Sequence, residues 1–341
     1  MKITAEEIKK ILIIKPRGIG DIVLSTIVLE NLLNHFPNTK IDYLVEEFAK
    51  DVLKHNPYLN EVITFSKSEF ILKTILKVRK KKYDLIFDLW SNPKTAQITF
   101  FSGAKYRVGY NYKGRSYAYN ILGTSERGNY HSAFHNLELL KPLDIKIISK
   151  KIHFYLSEEE KLFANDFIKK NSLSNQRVVG IIPSGGWDSK RCPPDKWIEI
   201  IKSLLEKFTC KILLLWGPDD KTEVDYIKTK MNEDILLAPK TNLRELAAIM
   251  EKCDLIIAND SGPMHIAAAL QVPTLGLFGP TDPEKHGPFS EFSDYAIKKD
   301  LHCIICNKLE CPYNKECFYE MSIDEILIKS EKLLEKNAQK N

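Results

Sequence analysis

The chain has 341 residues, of which 44% are hydrophobic and 28% charged, a composition that excludes a disordered, collagen-like or disulfide-stapled protein and allows two domains. Its net charge of +5 is unevenly distributed, because residues 1–150 carry 24 Lys and Arg against 15 Asp and Glu, whereas residues 151–341 carry 26 against 30. A positive first half favours an anionic partner such as a phosphorylated lipid, a nucleotide or nucleic acid, with a scattered solvated surface as the alternative.

Short β-branched apolar runs alternate with helical stretches along the first half, which is typical of a parallel sheet. The longest helical stretch, Ile22–Phe36, has its apolar residues on one face and ends before Pro37. The strands predicted in this half are Ile11–Lys15, Lys40–Val45, Glu61–Phe65, Leu85–Leu89 and Arg107–Tyr110.

The second half repeats this alternation. It is reached through Leu156–Gln176, where Ser157 precedes three Glu, a pattern that predicts a capped helix rather than a flexible tether. The strands predicted here are Val178–Pro183, Lys211–Trp216, Ile235–Leu237, Leu255–Ala258 and Thr274–Phe278. The helices predicted here are Asp195–Phe208, Thr222–Met231, Leu243–Lys252 and Pro263–Leu270.

We therefore predict two α/β domains, residues 1–160 and 161–322, and a C-terminal helix within residues 323–341 that packs back across the domain junction. No apolar run approaches the roughly 20 residues that a membrane-spanning helix needs, and the charged N-terminus does not resemble a signal peptide. We expect a cytoplasmic protein. Seven Cys in such a chain indicate reduced thiols or a metal site rather than a disulfide framework.

The loop that follows the first strand, Lys15–Asp21, contains two Gly and two cations at the start of a helix, which favours an anion. It is not a dinucleotide-binding fingerprint, because the third Gly of that motif is missing and Asp21 would repel a pyrophosphate. Asp21 is therefore either an N-cap or a general base. Arg17, Gly18 and Gly20 complete this candidate site.

A second loop, Pro183–Arg191, follows the first strand of the second half and combines Ser and Gly donors with Lys190 and Arg191. Glycines allow close approach of the backbone to a phosphate, and the two cations can neutralise a diphosphate. A solvated turn is the alternative. We expect Ser184 and Gly185 to contribute to this site.

The third loop, Asn259–His265, lies between an apolar strand and a helix, and Pro263 suits the first helical turn. Ser261 or Asp260 is expected to cap that helix, with N–H groups of the loop available to a ligand above the sheet. The acidic loop Gly217–Asp220 is a candidate for holding ribose hydroxyls, although Asp219, Asp220 and Glu223 are equally typical of surface residues or caps.

Taken in order, these loops resemble glycosyltransferase family 9, the lipopolysaccharide heptosyltransferases, over Ile11 to about Leu333. The motifs that carry the resemblance are Gly18–Asp21, Tyr83–Asp88, Arg107–Tyr110, Ser189–Arg191 before Pro193 and Trp197, and Asn259–Gly262 with His265. The resemblance implies a GT-B fold, in which two Rossmann-like parallel-sheet domains face each other across a cleft. The acceptor would bind the first domain and the sugar nucleotide the second.

The resemblance also implies an inverting, metal-independent transfer of a heptose from an ADP-sugar to the lipopolysaccharide inner core, on Kdo or heptose. Such an enzyme would act at the inner face of the inner membrane, without a cofactor or a nucleic-acid partner. Asp21 matches the family's proposed general base, and Lys190 matches its diphosphate-binding lysine. The expected donor-site residues are Ser184, Gly185, Arg191, Asp220, Asp260, Ser261, Gly262 and His265.

Acceptor binding is expected on the basic first half. Beside Arg17, Gly18 and Gly20, the residues that fall where the family places groups for lipid A or Kdo are Lys94, Arg107, Arg115 and His131. The chain departs from the family pattern at His135, where a relative carries Arg, and at Cys192, where others carry Trp.

Four late cysteines, Cys303, Cys306, Cys311 and Cys317, form the pattern C-x2-C-x4-C-x5-C. The first pair has the spacing of metal ligands, so a structural zinc site is one hypothesis, while the irregular later spacing argues against it. Two other functions stay open: a nucleotide-dependent dehydrogenase or epimerase, disfavoured by the missing glycine fingerprint, and a non-catalytic sugar-nucleotide or lipid-binding protein.

Overall fold

The computed structural model describes residues 3–126, 128–231 and 235–338. The chain divides into two compact units, the first ending at Tyr155 and the second beginning at Leu156. Within the described residues, no helix combines the length and the apolar character needed to cross a membrane.

The first unit contains six strands and five α-helices among its described residues. Its strands are Lys10–Ile14 (β1), Lys40–Glu46 (β2), Glu61–Phe65 (β3), Leu85–Asp88 (β4), Tyr106–Gly109 (β5) and Ile121–Leu122 (β6). Its helices are Ile19–Ser25 (α1), Leu29–His35 (α2), Ile71–Lys80 (α3), Pro93–Phe101 (α4) and Ser132–Leu137 (α5).

The second unit repeats this alternation with six strands and eight α-helices in the part of the chain that the structure describes. Its strands are Val178–Ile182 (β7), Lys211–Leu214 (β8), Ile235–Leu237 (β9), Leu255–Asn259 (β10), Thr274–Phe278 (β11) and Ser293–Ile297 (β12). Its helices are Glu158–Lys170 (α6), Pro194–Lys207 (α7), Lys221–Met231 (α8), Leu243–Glu251 (α9), Gly262–Ala269 (α10), Pro283–His286 (α11), Glu316–Tyr319 (α12) and Ile323–Ala338 (α13).

Each unit is built on one parallel sheet. The strand order is β3-β2-β1-β4-β5-β6 in the first and β12-β11-β10-β7-β8-β9 in the second, with all neighbours parallel. Both follow the doubly wound order in which the chain reverses direction across the sheet beside the first strand. The prediction of two Rossmann-like α/β units is confirmed. Ligands of such sheets bind at the carboxyl ends of the strands flanking that reversal, β1 and β4 or β7 and β10.

The central strands of both sheets are buried along almost their whole length, for example β4, β7 and β10. Such strands give continuous apolar runs, which is why they were predictable from sequence. The sequence analysis missed β6 and β12, the outer strands. The first has only two residues and the second is half-buried over three of its five residues, so neither leaves a continuous apolar run.

The predicted helix Ile22–Phe36 is interrupted. The chain forms α1, then a tight turn over Thr26–Val28, then α2. The Ser25 Oγ donates to the carbonyl of Ile22 and the Thr26 Oγ1 donates to that of Val23, both at the point of interruption. Hydroxyl groups that bond back to the preceding turn bend helices, which accounts for the break.

The segment after the first unit is helical, as predicted. Ser157 caps α6 by accepting a hydrogen bond from the Glu160 N–H, and the Glu160 carboxylate accepts from the Ser157 N–H. The same carboxylate binds the buried Arg244 of α9, from Nε at 2.5 Å and from Nη2 at 2.8 Å. At the other end of the unit, α13 packs on β10, β11, β12 and α7.

Candidate functional site

In the first unit, the turn that leads into α1, and with it Asp21, follows β1 at the carboxyl end of the sheet. Lys15 follows β1 directly, and its buried side chain donates from Nζ to the carbonyl of Leu89 at 3.2 Å and lies 5.0 Å from the centre of the Trp90 ring. The same Nζ is 3.9 Å from Oδ1 of Asp21. Lys15 is therefore held at the end of the sheet and holds the Asp21 carboxylate near it.

The turn between β1 and α1 requires glycine at residue 18. Gly18 has φ +84°, and a Cβ on it would lie 2.4 Å from Oδ2 of Asp21. Because Gly18 is the N-cap of α1, the interpretation of Asp21 as the N-cap is wrong; Asp21 is the third residue of the helix. Its side chain is 47% exposed, so the carboxylate is open to a substrate. Gly20 lies within α1 with ordinary helical backbone.

Two of the predicted acceptor cations contact neighbours within the first unit. Arg17 donates from Nε and Nη2 to Oε1 of Glu46, at 3.0 and 2.8 Å. Lys94, the second residue of α4, places Nζ 4.7 Å from the centre of the Phe65 ring, at the carboxyl end of β3. Both residues follow strands β1 and β4, the edge at which a ligand of this sheet is expected.

Arg107 donates to backbone carbonyls of the first unit. It lies near the start of β5, not at its carboxyl end, and its Nε and Nη1 donate to the carbonyls of Ala118 and Ala104 at 2.9 and 2.8 Å. These bonds hold two turns that flank β5 and β6. The guanidinium was predicted to bind the acceptor, and the structure instead engages it with the backbone.

The two histidines considered for the acceptor side make different contacts. His131 is the N-cap of α5, and its Nδ1 accepts a hydrogen bond from the Ala133 N–H at 3.1 Å. His135 stacks on Tyr110 with ring centres 4.2 Å apart. The guanidinium of Arg115 lies over the ring of Tyr112, 5.9 Å from its centre.

In the second unit, the half-buried Lys190 and the buried Asp260 form an ion pair at the carboxyl ends of β7 and β10. The Lys190 Nζ is 2.7 Å from Oδ2 of Asp260 and lies 4.3 Å from the centre of the Trp187 ring. The Thr281 Oγ1 donates to the same carboxylate oxygen at 2.6 Å. Three loops, following β7, β10 and β11, therefore converge on one oxygen atom.

Asn259, the last residue of β10, joins these loops. Its Nδ2 donates to the carbonyl of Pro183 at 2.6 Å, and its Oδ1 accepts from the Cys192 N–H at 3.3 Å. The backbone on both sides of the Lys190 loop is thus bonded to one buried amide. Cys192, the departure from the family pattern, is itself buried, and burial raises the pKa of its thiol well above the ordinary value.

Arg191 lies between two carboxylates. Its Nη1 is 2.9 Å from Oδ1 of Asp220 and 3.0 Å from Oε2 of Glu223. The Asp220 Oδ2 accepts from the hydroxyl of Ser184 at 2.5 Å and from the Gly217 N–H at 2.9 Å. Burial raises the pKa of Glu223 to about 7, although the Arg191 cation opposes the shift. Its Oε1 is buried and accepts no hydrogen bond from any described residue.

The helix α10 begins with an unused hydroxyl. Ser261 is the N-cap residue, but its side chain makes no capping hydrogen bond, so the prediction of a side-chain cap by Ser261 or Asp260 is wrong. The Ser261 Oγ is buried and, among the described residues, has no hydrogen-bond partner. Gly262 opens the helix and His265 is its fourth residue, buried. A buried hydroxyl at a helix N-terminus suits an anionic ligand.

The late cysteines lie in one part of the second unit, all as free thiols. Among the residues that the structure describes, no group of three or more His, Cys, Asp or Glu side chains is arranged to hold a metal ion. The hypothesis of a zinc site at Cys303, Cys306, Cys311 and Cys317 therefore has no preformed ligand set in the structure. Burial, followed by the neighbouring thiols, raises the pKa of Cys317 to about 12.

Three residues of this candidate site had no definite role in the sequence analysis. Asn259 stood in the quoted motif without a role, and Glu223 was indistinguishable from a surface acid. Thr281 was not considered. The signal that could have found Thr281 is its position, since it closely follows the strand neighbouring β10, and loops after adjacent parallel strands meet at one edge of the sheet.

Comparison with known proteins gives one family. The model of glycosyltransferase family 9 (heptosyltransferase) matches residues 71–316. Among curated proteins, lipooligosaccharide heptosyltransferase 2 of Haemophilus ducreyi is 28% identical over 302 residues, covering 83% of this chain and 86% of the relative.

Solved structures give the same fold. A glycosyl transferase family 9 protein from Veillonella parvula superposes with a TM-score of 0.85 at 23% identity, covering 96% of this chain and 97% of the other. The E. coli ADP-heptose LPS heptosyltransferase II superposes with a TM-score of 0.78 at 22% identity, covering 96% and 99%. The GT-B fold class predicted from the sequence is confirmed.

Proposed function

The chain belongs to glycosyltransferase family 9, and we propose that it transfers a heptose from an ADP-sugar to the inner core of lipopolysaccharide, on a Kdo or heptose residue. It is a glycosyltransferase by family. The substrates are inferred from the relatives, which are heptosyltransferases of lipopolysaccharide or lipooligosaccharide. The observation that carries the proposal is the Lys190–Asp260 ion pair next to the start of α10, where the buried Ser261 hydroxyl has no hydrogen-bond partner among the described residues.

The donor diphosphate is proposed to bind at that helix start. The first N–H groups of α10 have no intrahelical acceptor, and the Ser261 hydroxyl donates a further hydrogen bond. Lys190, held by Asp260 and Trp187, supplies the cation that neutralises charge as the diphosphate leaves. Gly262, Gly185 and His265 border this position on the same loops.

The ribose of the donor is proposed to bind Glu223. Arg191 donates to one carboxylate oxygen of Glu223, and no described residue donates to the other, the buried Oε1. A buried carboxylate oxygen without a partner is costly, and a ribose hydroxyl is a neutral donor of suitable size. Asp220 and Ser184 hold Arg191 and the loop rather than the ligand, because their polar atoms already bond to one another.

The acceptor is proposed to bind the first unit, with Asp21 as general base. In an inverting transfer, Asp21 takes the proton from the acceptor hydroxyl while that oxygen bonds to the anomeric carbon. The bond between that carbon and the diphosphate breaks on the opposite face, and ADP leaves with the electron pair. Arg17, Gly18, Lys94, Arg115 and His131 remain the candidate acceptor contacts, and Lys15 orients the base.

Peripheral attachment to an anionic membrane is proposed through α3. Residues 67–82 contain seven Lys and Arg against one Glu. Beside these cations, Phe70 is 74% exposed, Leu72 49% and Leu76 57%. An amphipathic helix that combines exposed apolar residues with a basic face binds anionic lipid headgroups. This face would bring the enzyme to the membrane that holds its lipid acceptor.

Turnover of ADP-heptose tests the proposal. We expect the purified chain to release ADP in the presence of a Kdo-containing lipid acceptor, and ADP, but not UDP or NAD, to raise its melting temperature. Lys190→Met should lower kcat by about a hundredfold or more, the range for a lost charge-stabilising donor. Lys202→Met on α7 is the matched control. Stabilisation by NAD, or binding of ADP-heptose without transfer to any acceptor, would favour the dehydrogenase or the binding-protein alternative.

A further inference from the structure

Residues 301–317, which contain the four late cysteines and which we term the cysteine segment, contact the lysine loop of the second unit directly. Ser189, next to Lys190 in sequence, is buried and donates from Oγ to the carbonyl of Lys308 at 2.5 Å and from its N–H to the carbonyl of Leu309 at 3.1 Å. The Lys315 Nζ is 2.9 Å from Oδ1 of Asp188. The loop that carries Lys190 is therefore attached to the cysteine segment at two points.

The other side of the Lys190–Asp260 pair is attached to the same segment. The Ile305 N–H donates to the carbonyl of Gly279 at 3.1 Å, and the Asn307 N–H donates to that of Pro280 at 2.8 Å. A Cβ on Gly279 would lie 2.5 Å from the Sγ of Cys317, so this contact is close. The two acceptors, Gly279 and Pro280, directly precede Thr281, whose hydroxyl donates to the Asp260 oxygen that also pairs with Lys190.

The cysteine segment has a defined internal geometry that suits a bracing role. Four of its residues adopt left-handed backbone: Ile305, Asn307, Asn314 and Lys315. The N–H groups of Tyr313 and Lys315 donate to the Sγ of Cys311 at 3.4 and 3.2 Å. A β-branched residue such as Ile305 keeps a left-handed conformation only where its surroundings enforce it.

We propose that the cysteine segment is a clamp that fixes the position of Lys190 against Asp260, and that Ser189 is the positioning residue through which it acts. Lysine has a flexible four-carbon stem, so its ammonium meets a developing charge efficiently only when the surrounding structure holds it in place. One end of the clamp holds the residue before Lys190, and the other holds the residues before Thr281. This inference rests on the proposed function, since it assigns Lys190 to the leaving diphosphate.

Ser189→Ala tests the clamp because it removes one of the two hydrogen bonds of Ser189 and leaves the backbone bond. We expect kcat for ADP-heptose transfer to fall about three- to tenfold, the range for one lost hydrogen bond, with a smaller change in KM. Ser189→Thr, which keeps the hydroxyl, should restore at least half of the activity. Ser203→Ala, which removes a serine hydroxyl that donates to the Glu199 carbonyl on α7, should leave kcat unchanged.

A double-mutant cycle separates positioning from general stability. In a Lys190→Met background, Ser189→Ala should have no further effect on kcat, because the group that it positions is gone. An equal fold-loss in both backgrounds, or wild-type kcat in Ser189→Ala, would overturn the clamp. Lys315→Met, which removes the ion pair with Asp188, provides a second variant should Ser189→Ala fold poorly. We expect it to lower kcat about twofold, and an unchanged kcat would overturn the part of Lys315 in the clamp. A wild-type chain that neither binds ADP nor transfers heptose contradicts the proposed function instead.

Discussion

Glu223 gives a quantitative test of the donor site through the pH dependence of stability. Burial raises the pKa of its carboxyl from 4.5 to about 7 in the folded chain. Between these two values the folded chain keeps the proton that the unfolded chain releases, so the free energy of unfolding falls as pH rises. The stabilising contribution is complete below pH 4.5 and is lost above pH 7.

The size of the effect follows from the two pKa values. Between pH 5 and pH 8, the free energy of unfolding of the second unit should decrease by about 2.5 kcal/mol from Glu223 alone. Glu223→Gln cannot titrate, so the difference between the wild-type and variant curves isolates this contribution from all other ionisable groups. The side chain is only 13% exposed, so screening by solvent reduces the value little.

Urea denaturation of the wild type and of Glu223→Gln at half-unit pH steps measures this difference. A parallel pair of curves between pH 5 and pH 8 would refute the raised pKa of Glu223 and the burial that causes it. If a ribose hydroxyl donates to that oxygen, saturating ADP should lower the pKa of Glu223 and flatten the wild-type curve relative to the variant. An identical effect of ADP on both proteins would contradict the ribose contact.

Three other outcomes are expected. Asp21→Asn should lower turnover by a hundredfold or more while leaving the melting temperature unchanged, as expected for an exposed general base. Turnover within threefold of that of the wild type would exclude Asp21 as the base. Asp166→Asn on α6 is the control. Ser261→Ala should weaken ADP binding, measured by calorimetry, about three- to tenfold without loss of stability, because the Ser261 hydroxyl has no partner within the described residues. A lower melting temperature with unchanged affinity for ADP would show that the hydroxyl is purely structural. The double variant of α3, Leu72→Ser with Leu76→Ser, should reduce co-sedimentation with phosphatidylglycerol vesicles about tenfold. The control replaces a similarly exposed pair on other helices, Leu162→Ser with Ile328→Ser, and should co-sediment like the wild type. Equal binding by both double variants would exclude α3 as the membrane contact.

Most strands that the sequence predicted are buried along nearly their whole length and appear as continuous runs of β-branched and apolar residues. The strands β3 and β9 are only partly buried, but their apolar residues are still adjacent in the chain. The outer strands β6 and β12 were missed because one is very short and the other is half-buried over much of its length. The break between α1 and α2 was missed because it depends on where the Ser25 and Thr26 hydroxyls donate, and an apolar periodicity does not contain that information.

The roles of charged residues were predictable only in part. A cation next to a glycine-rich loop predicts an anion site wherever the loop follows a strand, and on this basis Lys190 was predicted to bind a diphosphate. Its pairing with Asp260 was not predicted. Arg107 was assigned to the acceptor by the resemblance alone, and in the structure it donates to the Ala104 and Ala118 carbonyls. It lies near the start of β5, as in the predicted strand Arg107–Tyr110, whereas ligands of such a sheet bind at the carboxyl ends of its strands.

The sequence by itself determined the alternation of strands and helices and the doubly wound class, because both depend on residues close together in the chain, and it predicted the loops that form the candidate site. Only the tertiary structure decided which side chains meet. Lys190, Asp260 and Thr281 share one oxygen atom although they are 70 and 21 residues apart in the chain. Glu223 has a raised pKa, unlike a surface acid, because the folding of the second unit buries this residue of α8 beside Arg191. Burial and pairing of this kind arise from the packing of distant segments, which local sequence patterns do not specify.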